Sequence, residues 1–569
     1  MDERRFRLAL VVILMAAATL RLSHLNDLVT TDPSFHHVHG NAAGFAVRAE
    51  AILGGDLLQG DEAFFYGPLY PYYLATTWTL VGETSRFWPR LIQTVLGLLT
   101  VVLVHSITRR LFDPLTGLVA AGVQAVYWPA LFFEGLLVAT SLATFLLAAG
   151  VALLLAGAES SRRALLIAAG VAFGLCCWGR GNVLLLLPVV ALWLALRDPP
   201  PVEERRRLGA WRAGLLSAGA FTLGASLAIL PVTARNVAVS GHPVLLVSQG
   251  GINFYIGNNP EAFGVFHLPP SAGIRSDATP VYEQDVRRLA EEARGRELSP
   301  SEVSSYWLGR GLTWLASEPL AASRLWWRKL RLFLDPYEVS IHRSAEHYRE
   351  HVGPGRFLPS WGVLVPLTLL GLGLTSWTRA RGLMLALILV TSLSVVAFFV
   401  SDRYRYPSVV LLVPFAAAGA VALVEVVRGA WRERRRPSTR ALVVIGGVLV
   451  VTTWLHGWVP GFDVSVLSPE IRARSRCLEL HRHGRSFEWN GDPERALLAY
   501  DRALTFAPGH VGSRLAKTSL LERAGRWDEA VAVLAPFENG ESAELKRALS
   551  ELRERMASVP TGDDHVDRP

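Results

Sequence analysis

Apolar residues recur along the chain in runs that approach or reach membrane-spanning length, separated by short charged or Pro/Gly-rich segments. These runs lack the alternation of strands, and in hydrocarbon only structures that pair all their backbone groups internally are stable. The pattern predicts an all-α polytopic transmembrane bundle of about eleven spans. The predicted spans are 7–24, 90–107, 115–131, 136–156, 164–178, 183–196, 213–234, 359–376, 383–400, 407–427 and 440–457.

Composition agrees with this class and excludes others. The 569 residues are 51% hydrophobic with a mean hydropathy of +0.30, which leaves too little polar surface for a soluble protein of this size. The net charge of +8 comes from arginines in short loops, so topology explains it better than nucleic-acid binding. Cys176 and Cys177 are adjacent and Cys477 is isolated, so the sequence predicts no disulfide framework.

The loop arginines predict the orientation. If every span crosses once, they all fall on one side, which the positive-inside rule makes the cytoplasm. They are Arg4, Arg5, Arg7, Arg109, Arg110, Arg162, Arg163, Arg205, Arg206, Arg207, Arg212, Arg379, Arg381, Arg432, Arg434, Arg435, Arg436 and Arg440. The N-terminus is then inside, on a retained first helix, and the C-terminus outside. The long segments 25–89 and 235–358 are both outer loops.

The composition changes after the last span. A Gly-x-x-x-x-Ala pattern at Gly491–Ala496 recurs 34 residues later at Gly525–Ala530, a period that resembles the tetratricopeptide repeat. We therefore predict a membrane domain over 1–458, a repeat-like helical domain over 459–557 and a disordered end over 558–569. A generic helical hairpin is the alternative for the tail.

The first outer loop carries an acid and an aromatic cluster. Asp32 lies just beyond the first span, where an ionisable group is costly unless it is used, although it could also be a loop cap. Residues 37–58 read as an amphipathic helix lying along the interface, beginning at His37. The cluster that follows contains Tyr66, Pro68 and Tyr70, and an aromatic belt at the membrane surface is its alternative interpretation.

Further ionisable residues fall at the predicted outer turns. Glu134 lies in an otherwise apolar run, so it needs a partner or a function. Arginines occur at three outer turns, on the face that should contain few: Arg180, Arg235, Arg403 and Arg405. Guanidinium groups suit phosphate, and ion pairs with Asp32, Glu134 or Asp402 are the structural alternative.

The segment 248–260 is rich in glycine and amides. Asn253, Tyr255, Asn258 and Asn259 place amides beside aromatic rings, as sugar-binding surfaces commonly do. The segment lacks the strand–glycine loop–helix context of a nucleotide site. His36, His37 and His39 have poor spacing for a metal site, so the sequence predicts no metal.

Taken in order along the chain, these features resemble the GT-C glycosyltransferases, in particular the branch of protein O-mannosyltransferases and aminoarabinose transferases of lipid A. The resemblance covers about residues 1–430 and rests on the acid after the first span, the Pro-Leu-Tyr-Pro element of the first outer loop and the outer-turn arginines. The segments 253–260 and 402–405 are similar to a bacterial subgroup that often carries tetratricopeptide tails, which implies the bacterial inner membrane.

The resemblance implies transfer of a sugar, with inversion, from a polyprenyl-phosphate donor to an acceptor on the outer face. Asp32 would be the general base, and Glu134 would orient the acceptor or assist that base. Arg403, Arg405, Arg235 and Arg180, in that order, would stabilise the leaving phosphate. His37, Tyr66, Pro68, Tyr70, Asn253, Tyr255, Asn258 and Asn259 would contact the substrates. The related enzymes have Lys-Pro where this chain has Gly67 and Pro68, so an arginine would replace that lysine.

The resemblance implies no metal or cofactor, since the lipid-linked sugar is a co-substrate. The expected partners are the donor, membrane lipids, a protein or cell-envelope glycan or lipid acceptor, and a protein bound by the tail, without nucleic acid. Two other functions stay open. A flippase for lipid-linked glycans should carry polar groups near the bilayer midplane, and a non-catalytic scaffold would leave the outer-face acids and arginines unexplained.

Overall fold

The structure is a computed structural model that describes residues 3–38, 40–197, 209–274, 281–341, 343–351, 355–455, 469–538 and 542–558. Within these ranges the chain is helical and forms no strand; one isolated β-bridge pairs Val265 with Val400. The all-α prediction is confirmed. Arginines 205–207, His39, the end of the last predicted span and residues 559–569 of the predicted disordered end lie outside the described residues.

The chain forms two compact units. The first, here called the membrane unit, comprises Met1–Thr30, Gly40–Ile341 and Tyr348–Val466. The second, here called the tail unit, comprises Thr31–His39, His342–His347 and Leu467–Pro569. The predicted boundary near residue 458 falls close to one junction, but the loop that carries Asp32 belongs to the tail unit.

Seven helices of the described residues are long and apolar enough to cross a membrane. They are Glu3–Thr31, Phe87–Leu111, Thr140–Ser160, Trp211–Ser240, Gly355–Leu374, Arg379–Ala397 and Asp402–Arg432. Three shorter apolar helices, Arg163–Gly179, Gly181–Leu196 and Thr439–Thr453, fall on three more predicted spans. A bent pair takes the remaining position, so every predicted apolar run is helical, while the number of crossings stays a prediction.

The bent pair replaces the predicted straight span 115–131. Pro114–Val126 and Trp128–Glu134 meet at an angle of 53°. Tyr127 between them has extended backbone angles, and Pro129 cannot donate the backbone hydrogen bond that would continue the first helix. The bend places Glu134 at the end of a short buried helix.

Glycines allow the closest helix contacts of the membrane unit. A Cβ atom on Gly371 would collide with the carbonyl of Phe415, and one on Gly419 would collide with the carbonyl of Leu367. Small residues at such crossings let two helices approach through their backbones, as in other membrane bundles. The same reasoning applies to Gly170, which lies against the carbonyl of Phe221.

Gly371→Ala is expected to destabilise the bundle, because a methyl group must push two packed backbones apart, which costs about 1–3 kcal/mol. Gly382→Ala is the matched control: a Cβ there meets open space, and alanine favours helix over glycine. Thermal unfolding in detergent should show a lower midpoint for Gly371→Ala only. Equal midpoints for the two variants would contradict this packing.

The loop predictions need correction in detail. The first helix continues to Thr31, seven residues beyond the predicted end, and the amphipathic helix covers Asn41–Leu53 rather than 37–58. The aromatic cluster enters a helix, Leu69–Val81, that was not predicted. The segment 235–358 contains the helices Gly250–Gly257, Val281–Arg294, Pro300–Ser317, Pro319–Leu334 and Ala345–His351.

The tail unit is built from five helices of the described residues: Pro469–Trp489, Pro493–Phe506, Val511–Arg523, Trp527–Leu534 and Ala543–Ala557. Leu497, Tyr500, Leu521, Leu534 and Leu549 are among the buried residues of its core. The repeated Gly-x-x-x-x-Ala segments each begin at the end of one helix and enter the next. The helical pairing agrees with the periodicity, and the tetratricopeptide assignment itself stays a prediction.

Candidate functional site

Glu134 has a partner that the sequence did not indicate. Its carboxylate is buried and forms an ion pair with Arg21 of the first helix, with Nε and Oε2 2.8 Å apart. Gly97 makes room for the pair, because a Cβ there would collide with the carboxylate. Arg21 also donates to the carbonyl of Ala125, at 2.8 Å, just before the bend. Because both charges are buried, removing either side chain would leave the other charge uncompensated.

Side chains of the membrane unit hold the turn that follows Glu134. Gln93 donates to the carbonyls of Glu134 and Leu136, at 2.7 and 2.8 Å. The hydroxyl of Tyr70 donates in turn to Gln93, at 2.6 Å, and this ring is fully buried. Arg90 donates to the carbonyl of Gly135 at 2.8 Å. Tyr70 was predicted to contact a substrate, and its described contacts instead brace the Glu134 turn.

Glu134→Leu alone is expected to reduce the yield of folded protein strongly, because breaking a buried pair leaves an uncompensated charge at a cost of about 3–5 kcal/mol. The double variant Arg21→Leu/Glu134→Leu should recover folded protein, since it removes both charges. Size-exclusion profiles and thermal midpoints in detergent measure both effects. A double variant no more stable than Glu134→Leu would contradict the mutual dependence, and its turnover would report whether Glu134 also takes part in the reaction.

Arg180 and Arg403 converge on one aromatic ring. Their guanidinium carbons lie 5.0 and 5.1 Å from the centroid of Tyr404. Arg180 donates to the carbonyl of Arg403 and to the hydroxyl of Thr140, each at 2.6 Å. The Nε atoms of both arginines are buried and lack a hydrogen-bond partner, and no carboxylate of the described residues forms an ion pair with either side chain.

This arrangement leaves positive charge uncompensated. Asp402, the adjacent acid, is buried and accepts hydrogen bonds from the backbone N–H of Arg403, at 2.6 Å, and from the hydroxyl of Ser401, at 3.0 Å. It therefore fixes the backbone of the turn rather than pairing with the guanidinium groups. Two cations on one ring repel each other, and a bound anion would offset that repulsion.

The structure also shows why lysine is absent at Gly67. A Cβ there would collide with the carbonyl of Trp178, so no side chain fits. Pro68 follows as the cap of the helix Leu69–Val81. The Gly67 backbone thus lies against the turn that carries Arg180. Arg180 is therefore a cation that lies close to Gly67 and could take the place of the lysine.

The other two predicted phosphate ligands are engaged in the protein. Arg405 pairs with Glu338 at 2.9 Å and donates to the carbonyls of Phe333, Asp335 and Tyr337. Arg235 donates to several carbonyls of the segment 58–62 and stacks on Phe64 at 4.0 Å. These contacts favour a structural role for both.

The amides of the 248–260 segment are buried rather than presented on a surface. Asn258 donates to the carbonyls of Phe254 and Ala397, at 2.9 Å each, and accepts from Lys329 at 2.9 Å. Burial lowers the pKa of Lys329 to about 7. Asn259 donates to the carbonyl of Tyr255 at 2.8 Å. Both amides therefore hold the local backbone and offer a ligand no free donor here.

The remaining predicted contacts are more accessible. Asn253 and Tyr66 are partly buried, and the ring of Tyr66 lies 5.1 Å from the guanidinium of Arg48. Tyr255 is buried against Trp307 and stacks with Arg310 at 4.6 Å. A cavity of about 290 Å³ opens in the membrane unit, and none of the predicted site residues lines it. Its walls are Glu62, Ala63, Phe65, Ser248, Glu283, Gln284, Val286, Arg287, Pro300 and Val303.

Asp32 lies in the tail unit with a cation that the sequence did not indicate. One carboxylate oxygen accepts from Arg343 at 3.0 Å, and the other from the backbone N–H of Ser34 at 2.9 Å. The side chain is 6% exposed. His37, predicted to contact a substrate, packs against Trp489 in a tilted arrangement with ring centroids 5.4 Å apart. Burial alone would lower the pKa of Arg343, but the carboxylates of Asp32 and Glu479 raise it.

These features define a polytopic helical membrane protein with a cationic turn and a fixed carboxylate after its first span. Residues 66–221 match the family model of dolichyl-phosphate-mannose-protein mannosyltransferases. The match confirms the predicted resemblance to the GT-C membrane glycosyltransferases and supports a glycosyltransferase as the broad assignment. The matched segment contains Glu134 and Arg180 but not Asp32 or Arg403. Comparison with curated protein sequences gives no significant match.

Solved structures similar to this chain include an archaeal oligosaccharyltransferase and a bacterial ArnT. The apo oligosaccharyltransferase of Archaeoglobus fulgidus is 15% identical with a TM-score of 0.43, and the alignment covers 79% of this chain and 55% of that one. ArnT of Cupriavidus metallidurans, bound to undecaprenyl phosphate, is 13% identical with a TM-score of 0.39, covering 95% and 82%. The chain thus spans about half the length of the oligosaccharyltransferase.

Proposed function

We propose that this protein transfers a sugar from a polyprenyl-phosphate donor to an acceptor hydroxyl or amine on the outer face of the membrane, with inversion at the anomeric carbon. The observation that carries the proposal is the pair Arg180 and Arg403 on the ring of Tyr404, two cations without an acidic partner among the described residues. The family that residues 66–221 match is named for a dolichyl-phosphate sugar donor. A phosphate anion suits the two guanidinium groups.

In the proposed reaction, the carboxylate of Asp32 removes the proton from the acceptor group as that group attacks the anomeric carbon. The bond between the anomeric carbon and the phosphate oxygen breaks, and its electron pair leaves with the polyprenyl phosphate. Arg403 and Arg180 stabilise the negative charge that develops on this phosphate. Arg343 orients the Asp32 carboxylate through an ion pair of 3.0 Å.

The proposed acceptor is a protein. The helical tail presents stacked helix pairs, which favours a protein acceptor or a protein partner over a lipid acceptor. We place the protein in the inner membrane of a bacterium, with the tail outside the cytoplasm. No metal or cofactor enters the proposed reaction, and the lipid-linked sugar is a co-substrate.

Proteoliposomes containing a labelled lipid-linked sugar distinguish transfer from transport. A transferase supplied with membrane extract releases unlabelled polyprenyl phosphate and moves the label to an acceptor. A flippase moves the intact lipid-linked sugar between leaflets without cleaving it. Label that changes leaflet but stays on the lipid would contradict the proposed reaction.

A further inference from the structure

The loop that carries Asp32 is held by the first helix of the tail. Ser486 donates to the hydroxyl of Ser34 at 3.1 Å, and both hydroxyls are fully buried. Asn490 donates to the carbonyl of Pro33 at 3.2 Å. These contacts join segments that are more than 450 residues apart in the chain. Ser34 and the backbone just before it are therefore held by the helix Pro469–Trp489 and the residue that follows it.

The same helix reaches Asp32 through a shared cation. Arg343 donates through one nitrogen to Asp32, at 3.0 Å, and through Nε to Glu479, at 2.9 Å. The other oxygen of Glu479 accepts from the backbone N–H of Ser344 at 3.0 Å. Glu479 and Ser486 are two helical turns apart, which puts them on one face of the helix. That face binds the two other segments of the tail unit, Thr31–His39 and His342–His347.

We infer that Glu479 is a positioning residue for Asp32, acting through Arg343, and that the first tail helix is thereby part of the catalytic apparatus. The inference rests on the proposed function, because it assigns Asp32 the role of the base. The two carboxylates share one guanidinium, so Glu479 fixes the position of Arg343 and Arg343 in turn orients the carboxylate of Asp32.

Other charged groups face Glu479. Arg482 and His483 lie on its own helix, 3.9 and 3.5 Å from its oxygens, and the ring of His347 contacts that of His483. Burial alone would raise the pKa of Glu479, but Arg343, His483, Arg482 and His347 together lower it. Glu479 is therefore an anion at neutral pH. Both histidines remain in the variants below, and Glu479→Asp also keeps an anion on the helix beside His483.

Glu479→Gln tests the inference. Without the second carboxylate, Arg343 acts on Asp32 alone, so the acidic limb of the pH–rate profile should move to lower pH. Looser orientation of the base should lower kcat by between about tenfold and a hundredfold. Glu488→Gln is the matched control: this carboxylate lies on the same helix and pairs with Arg523 at 2.8 Å, and its removal should leave the profile unchanged.

A conservative variant keeps the test decisive if Glu479→Gln folds poorly. Glu479→Asp retains the charge, so its acidic limb should stay at the wild-type position even if kcat falls. An equal shift of the limb in Glu479→Asp and Glu479→Gln would overturn the inference. So would a Glu479→Gln profile identical to that of Glu488→Gln while Asp32→Asn is inactive, and this outcome would leave the proposed function intact. An active Asp32→Asn would overturn both.

Discussion

Asp32→Asn is expected to lower turnover by about 10²–10⁴-fold while the protein remains folded, because an amide cannot accept the acceptor's proton. The amide oxygen can still accept from the N–H of Ser34, as one carboxylate oxygen does now. Arg343 keeps Glu479 as its counter-ion, so no buried cation is left unpaired. The loss should therefore appear in kcat and not in the thermal midpoint.

Asp56→Asn is the control for this prediction. Its carboxylate lies on the same predicted outer loop and caps the local turn by accepting from the N–H of Gly60 at 2.8 Å. It should leave turnover at the wild-type level. Single-turnover rates with labelled donor measure both variants. Near-wild-type turnover by Asp32→Asn would remove this residue from the mechanism.

Arg403→Ala is expected to raise the KM for the donor by about 10- to 100-fold, with little change in the KM for the acceptor. The lost interaction is a charge-assisted contact to phosphate, worth about 1.5–3 kcal/mol, and 1.4 kcal/mol corresponds to tenfold. Arg403 forms no ion pair with a described carboxylate, so its removal should not unfold the turn. Arg180 remains and retains part of the affinity.

Two further variants make the donor assignment specific. Arg403→Lys keeps the charge but loses the planar fork, so its KM should lie between those of the wild type and Arg403→Ala. Arg356→Ala removes an exposed arginine that stacks on Phe357 at 4.6 Å and should leave both constants unchanged. Equal donor KM values for Arg403→Ala and the wild type would contradict the assignment.

The sequence predicts the helices of this protein better than its polar contacts. The apolar runs are helical, and they could be predicted because hydrophobicity over a membrane-spanning length is read directly from consecutive residues. The bend at Tyr127 was not predicted, although Pro129 stands inside the predicted span 115–131, because the angle depends on packing between distant helices. The aromatic segment after Pro68 was expected to contact a substrate, with an aromatic belt as the alternative, and its helix Leu69–Val81 was not predicted.

The candidate site was predictable in its residue types but not in its pairings. Glu134 was expected to need a partner, yet Arg21 is 113 positions away and lies inside a predicted span, where no local signal marks it. Arg343 was not predicted as a site residue, because arginines are common in long polar loops and no motif marks this one. Asn258 was expected on a surface, but it is buried and donates a hydrogen bond to the carbonyl of Ala397. A partner so distant in the chain cannot be predicted from the spacing of nearby residues.

We propose that the protein cleaves a polyprenyl-phosphate sugar with Asp32 as the base. The purified wild type and Asp32→Asn can be incubated with a panel of radiolabelled polyprenyl-phosphate sugars and membrane extract, and the polyprenyl phosphate released can be measured. We expect release from at least one donor by the wild type and almost none by Asp32→Asn. Release at equal rates by both proteins, or from no donor by a folded wild type, would contradict it.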